Sequence, residues 1–173
     1  MSTQVSLHHD TAADAPAVLA WTRLRRAAIS TSRLLSASLL GEHGLSINDY
    51  EALHLLAQTP GRRLRRVDLA RELLLTPSGV TRLLEGLEEA GLVERAPSAA
   101  DLRITYAVLT DTGAATLRRA SCGHVGSIRA LLEDHLSPEE IEELAALLGR
   151  LPGVAACDAR ETAEACHAVD GCG

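Results

Sequence analysis

Lysine and phenylalanine are both absent from this 173-residue chain, and all 17 of its basic residues are arginine. Without lysine, the phosphate-cradling loop G-x-x-x-x-G-K-[ST] cannot be completed, and Gly79 and Gly86 do not surround such a loop. The aromatic residues are only Trp21, Tyr50 and Tyr106, so the 46% hydrophobic share is mostly leucine and alanine. That composition favours helix packed on helix over a β-sandwich, which wants aromatic and β-branched residues. No segment reaches the roughly 20 apolar residues of a membrane span. The opening MSTQVSLHHD lacks a charged-then-apolar signal pattern, so a cytoplasmic chain with no membrane partner is expected. Cysteine is sparse: Cys122 stands apart, while Cys157, Cys166 and Cys172 crowd the end, unlike a disulfide framework spread over a small secreted fold. Their spacing is not that of a zinc knuckle, and no nucleophile–base pair or carboxylate pair stands out. No metal, no cofactor and no enzymatic activity are therefore expected.

The net charge of −6 is unevenly spread. Residues 61–103 carry eight arginines against seven acids, whereas residues 104–173 carry five against eleven. An acidic protein still binds nucleic acid when its arginines share one face, because bulk charge is screened within about 8 Å in physiological salt.

Apolar periodicity gives the organisation. Residues 1–12 read as a loose leader. Val18, Trp21, Leu24, Ala28, Leu35 and Leu39 recur at helical steps from about Ala13 to Leu40, with Gly41 and Gly44 as stops. Ser46, with Asp49 three residues on, opens a second helix that offers Leu53, Leu56 and Ala57 for burial. Leu64 suggests a short strand. A short third helix over Val67–Leu74 has Val67, Leu69, Ala70, Leu73 and Leu74 available for the core. Pro77–Ala90 reads as a fourth helix closed by Gly91 in the left-handed C′ position. LVER and ITYAVL are strands joined by the polar tip APSAADLR, a hairpin. Thr110 caps a fifth helix to about His135, and SPEE at Ser137–Glu140 starts a sixth. The chain thus divides into a leader (1–12), a long first helix (13–45), a compact lobe (46–110), two further helices (111–151) and a tail (152–173). Leu117, Ile128, Leu131 and Leu132, with the stripe of the sixth helix, are more apolar surface than a small lobe can cover.

The run TPSGVTR, Thr76–Arg82, carries the chemistry. Thr76 caps the free N–H groups and Pro77 takes the first helical position, where its missing N–H costs nothing. Val80, Leu83, Leu84 and Leu87 make the buried stripe. Ser78, Gly79, Thr81, Arg82 and Glu85 are left outside, a set of short hydroxyls, one slim residue and one arginine. A helix entering the major groove lays its N-terminal residues on base edges. Short helix, tight turn and this helix make a helix-turn-helix, and the hairpin makes it winged.

The stretch Asp68–Gly113 resembles the MarR (multiple antibiotic resistance regulator) family of winged-helix repressors: a capped Ser-x-x-Thr-Arg run, Leu-x-x-Ala-Gly-Leu-Val-x-Arg, a wing with Asp-x-Arg at Asp101 and Arg103, and a strand ending Leu-Thr-x-x-Gly. The fold implied is mainly α with a small β-hairpin wing. The resemblance further implies a homodimer on double-stranded DNA with a palindromic operator, with 13–45 and 111–151 as dimerisation helices and 46–110 as the winged helix-turn-helix DNA-binding domain that docks one half-site. Base contacts then fall to Ser78, Thr81 and Arg82, with Thr76 and Gly79 shaping the helix tip. Arg103, oriented by Asp101, and Arg95 serve the wing. Arg62, Arg63, Arg65 and Arg66 are either phosphate contacts or a solvated turn. A small-molecule effector, anionic or phenolic, is also implied; Trp21, Arg25 and Asp68 are its candidate contacts, as some urate-type members use a tryptophan, an aspartate and wing arginines. Trp21 as a packing anchor is the plainer reading. The competing classes are a helical interaction dimer without DNA binding and a metal- or redox-responsive regulator of the same fold.

Overall fold

The computed structural model describes residues 15–97, 104–152 and 154. The chain divides into two compact units, Met1–Leu34 and Leu35–Gly173. The described part of the first, from Ala15, is helical, belonging to α1 (Ala15–His43). None of its residues is buried, and Val18, Leu19, Trp21, Ile29 and Leu34 stand exposed along it.

In the second unit α1 runs on through Gly41, which the sequence suggested as a stop. A helix tolerates a lone glycine at a modest entropic cost. The break comes at Gly44, whose φ of +69° suits a residue without Cβ and whose N–H donates to the Leu40 carbonyl at 3.0 Å. A reciprocal capping box then starts α2 (Ile47–Gln58): the Asp49 N–H donates to Ser46 Oγ and the Ser46 N–H to the Asp49 carboxylate. Tyr50, Ala52, Leu53 and Leu56 are its buried residues, and Ala57 lies outside. The inward arc shifts because α2 is covered by a later helix on one side and by the sheet on the other.

A 3-10 turn over Pro60–Arg62 leads to the short strand β1 (Arg63–Arg65), then α3 (Arg66–Glu72) and α4 (Pro77–Glu89). The hairpin is β2 (Val93–Pro97) and β3 (Thr105–Leu109). Strand order is β1-β3-β2, fully antiparallel, with Leu64 opposite Ala107 and Arg95 also opposite Ala107 from the other side. Two long elements follow, α5 (Asp111–Glu133) and α6 (Pro138–Gly149). The core runs from Leu39 to α5 and takes no residue from α6, with Leu39, Leu53, Leu56, Leu69, Leu84 and Ala107 at its centre.

The junction between hairpin and α5 explains the Leu-Thr-x-x-Gly signature. Thr110 caps α5 by accepting from the Gly113 N–H, and its own hydroxyl lies 2.8 Å from the Gly91 carbonyl and 3.1 Å from that of Leu92. The Thr110 N–H also donates to the Leu92 carbonyl. A Cβ on Gly113 would fall 2.1 Å from that carbonyl oxygen and 2.7 Å from a Leu109 methyl, so only glycine lets α5 seat on the hairpin.

Candidate nucleic-acid interface

Two Schellman turns set the helix-turn-helix. Leu74, with φ of +53°, closes α3: its N–H donates to the Arg71 carbonyl and the Leu75 N–H to that of Ala70. A leucine here pays the steric cost a glycine would escape, and its side chain is 93% exposed. Val67 is exposed as well, so of the apolar residues offered by the third helix only Leu69 and Ala70 are buried and Leu73 is half-buried. Gly91 closes α4 in the same way, at φ of +69°.

Helix α4 is amphipathic in the expected sense. Val80, Leu84 and Leu87 are buried, with Leu83 half-buried against them. At its start the Gly79 N–H donates to Thr76 Oγ1 at 3.1 Å, and the Ser78 hydroxyl lies 3.2 Å from the same oxygen. Gly79 is half-buried, and a Cβ there would meet Thr76 Oγ1 at 3.2 Å. Slimness at this position therefore also serves the cap. Thr81 is half-buried; its hydroxyl donates to the Pro77 carbonyl at 2.8 Å and accepts from Nη2 of Arg66 on α3. Ser78 and Arg82 are exposed on the first turns, and Arg82 makes no hydrogen bond or ion pair among the described residues.

Arg95, at the foot of the wing, is taken up by Glu88 of α4, Nε to Oε1 at 2.6 Å. Asp68 is bridged by Arg65, whose Nη2 donates to Oδ1 at 3.0 Å, and by Arg71 at 3.2 Å. The hydrogen bond from Arg65 holds the Asp68 carboxyl below the usual carboxylate range. In α3 this one carboxylate is shared by two arginines. Asp101 and Arg103 lie outside the described residues, as do the leader and nearly all of the tail. Within the first unit, Trp21 is 63% exposed and Arg25 is exposed.

An open groove of about 590 Å³ lies between α3, the start of α4 and the foot of β3, with Arg65, Arg66, Arg71, Thr81 and Thr105 among its walls. Spacing alone does not rank Arg62, Arg63, Arg65 and Arg66; only their three-dimensional partners separate Arg66 from the rest.

At the junction of α2 and α5, His124 is 6% exposed with Nδ1 unpartnered, its ring tilted against Tyr50 at 4.5 Å between centroids. Burial, and secondarily His54, push its pKa below the ordinary histidine value. Among the described residues no group of three or more histidine, cysteine or acidic side chains is arranged to hold a metal. Cys122 is disulfide-bonded. No described helix is long and apolar enough to cross a membrane.

A sequence model of the MarR family matches residues 43–104. The chain is similar to the transcriptional repressor YetL of Bacillus subtilis, 34% identical over 108 residues that cover 62% of this chain and 64% of that relative. The match thus spans slightly less than two thirds of the relative's length. Among solved structures it is similar to Sco3205 of Streptomyces coelicolor, a MarR family transcriptional regulator in complex with DNA. The two share 34% identity at a TM-score of 0.71, over 78% of this chain and 84% of the other. It is also similar to AbsC of the same organism, a MarR family transcriptional regulator, at 35% identity and a TM-score of 0.63, over 73% of this chain and 88% of the other.

Proposed function

This chain belongs to the MarR family of transcriptional regulators, and on that premise we propose that it is a homodimeric repressor that binds a palindromic DNA operator and is released by a small ligand. The observation that carries the DNA reading is Arg82. It stands exposed without a partner among the described residues, on a helix whose opposite face is fixed by Val80, Leu84 and Leu87. A guanidinium so presented suits bidentate pairing with the O6 and N7 of a guanine. Ser78 beside it is the second base contact, and Thr76 holds the tip through the cap. The similar chain Sco3205 was crystallised in complex with DNA.

The dimer reading rests on uncovered apolar surface. Helix α6 has no buried residue, while Leu144 and Leu147 are exposed along it and Leu151 just beyond its end. The exposed row on α1 in the first unit is another such surface, and apolar area of that kind marks association. Two-fold pairing sets two recognition helices one DNA turn apart, about 34 Å. The effector is proposed to be a small anion or phenol, as the resemblance implies.

Selection of bound sequences from a random DNA pool, repeated with candidate ligands, tests the whole reading. Arg82→Ala is expected to weaken the selected site by roughly 1–3 kcal/mol and relax one base position. Unchanged affinity and unchanged preference in that variant would remove α4 from the interface.

A further inference from the structure

Four arginines precede or open α3, and their partners sort them. Arg62 Nη1 donates to Asp111 Oδ1 at 3.0 Å. The Arg63 guanidinium lies over the Tyr106 ring, 5.0 Å from its centroid. Arg65 is paired with Asp68. Arg66 alone of the four has neither a carboxylate nor an aromatic ring as partner among the described residues. It gives one N–H to the Thr81 hydroxyl, a neutral group that leaves the positive charge uncompensated and the remaining guanidinium donors unused. Arg65 and Arg71 share the single carboxylate of Asp68, so the rim of the groove they line with Arg66 keeps an excess of positive charge.

Thr81 has committed its own proton to the Pro77 carbonyl, so towards Arg66 it acts only as an acceptor. The effect is to tie a long, rotamer-rich side chain from α3 to the first turns of α4. We propose that Arg66 binds a backbone phosphate of the DNA, with Thr81 as the residue that positions it. This deepens the DNA-binding reading and rests on it. A guanidinium matches phosphate oxygens with two parallel N–H donors, and one whose conformation is already set loses less entropy on contact. The groove beside it, open between α3, α4 and the foot of the wing, is where a strand backbone passes once Arg82 faces the bases.

The test uses the full chain on its selected duplex and on a random duplex, with affinity measured across a salt series. Arg66→Ala and Arg66→Gln are both expected to weaken the two duplexes by the same factor. Both should lower the magnitude of the log–log salt slope by about one, with base preference unchanged. Arg66→Lys is expected to keep the wild-type slope, and melting curves confirm that all variants fold. A wild-type slope in Arg66→Gln overturns the proposal. So does a change of base preference at one position with the slope intact, because Arg66 would then only support Thr81. Arg82→Ala separates the two claims: loss of base preference there, with no Arg66 effect on the slope, leaves DNA recognition standing and removes the phosphate contact. A wild-type chain with no salt-dependent duplex binding removes both.

Discussion

Helices α4 and α6 begin alike and end up differently. Each opens with a hydroxyl cap followed by proline, Thr76–Pro77 and Ser137–Pro138, and each carries a leucine stripe. In α4 that stripe is buried under the body of the lobe, whereas in α6 no residue is buried. Local sequence therefore decides that a helix forms and where it starts, but the neighbours decide what its apolar face is for. A covered stripe orients the polar face opposite, which is how α4 comes to present Arg82. An uncovered stripe is left free for association, and in the dimer proposed above α6 meets a second copy of the chain.

The contrast is open to direct attack. Leu84→Ala in α4 is expected to cost about 2–5 kcal/mol of unfolding free energy, as buried leucine truncations do. Leu147→Ala, at a position 51% exposed, should change stability by no more than about 0.5 kcal/mol in dilute protein. The same substitution should raise the dimer dissociation constant in sedimentation experiments. Equal losses in dilute samples would erase the distinction between the two helices. Next in size is Gly113→Ala, where the added methyl meets the Leu92 carbonyl; about 1–3 kcal/mol of destabilisation is expected in a denaturant titration. The caps should respond alike whatever their stripes face, with Thr76→Ala and Ser137→Ala each costing about 1 kcal/mol by thermal melting.

The smallest effect concerns acid. His124 binds its proton less readily in the folded chain than in the unfolded one, so stability is full above the unfolded value of about 6.5. Stability then falls as pH drops from there towards the lower folded pKa. Urea midpoints measured from about pH 8 to pH 5 should show that decline in the wild type and a flatter profile in His124→Phe. An identical slope in both proteins would take His124 out of the acid response.

Most of the fold was legible because its signals are local. The caps at Ser46, Thr76, Thr110 and Ser137 all fall where short polar residues precede apolar periodicity, and all four accept the expected backbone hydrogen bond. Leu64 falls in a true strand despite its charged neighbours, since β3 provides the ladder. What sequence could not give were the choices set by tertiary contact. Gly41 stays helical, Ala57 and Val67 face outward, and Leu74 adopts a backbone state that its side chain disfavours. The same holds for the interface. Motif spacing singles out Arg82 and Thr81, but that Arg95 is spent on Glu88, Asp68 on two arginines and Thr81 on Arg66 follows only from three-dimensional neighbours.

The seat of α5 on the hairpin has a mechanical meaning. With Thr110 bonded into the Gly91–Leu92 turn and Gly113 pressed on the Leu92 carbonyl, the wing and the first turns of α5 behave as one lever. That lever is about 34 Å long for the 23 residues of α5. Tilting it by about five degrees carries its far end roughly 3 Å, by the same helical rise. In the proposed dimer the far ends are tied to the partner, so the displacement appears instead at the reading heads. In that proposed dimer the close seat at Gly113 would convert a small change of angle between protomers into a change in the spacing the pair can span.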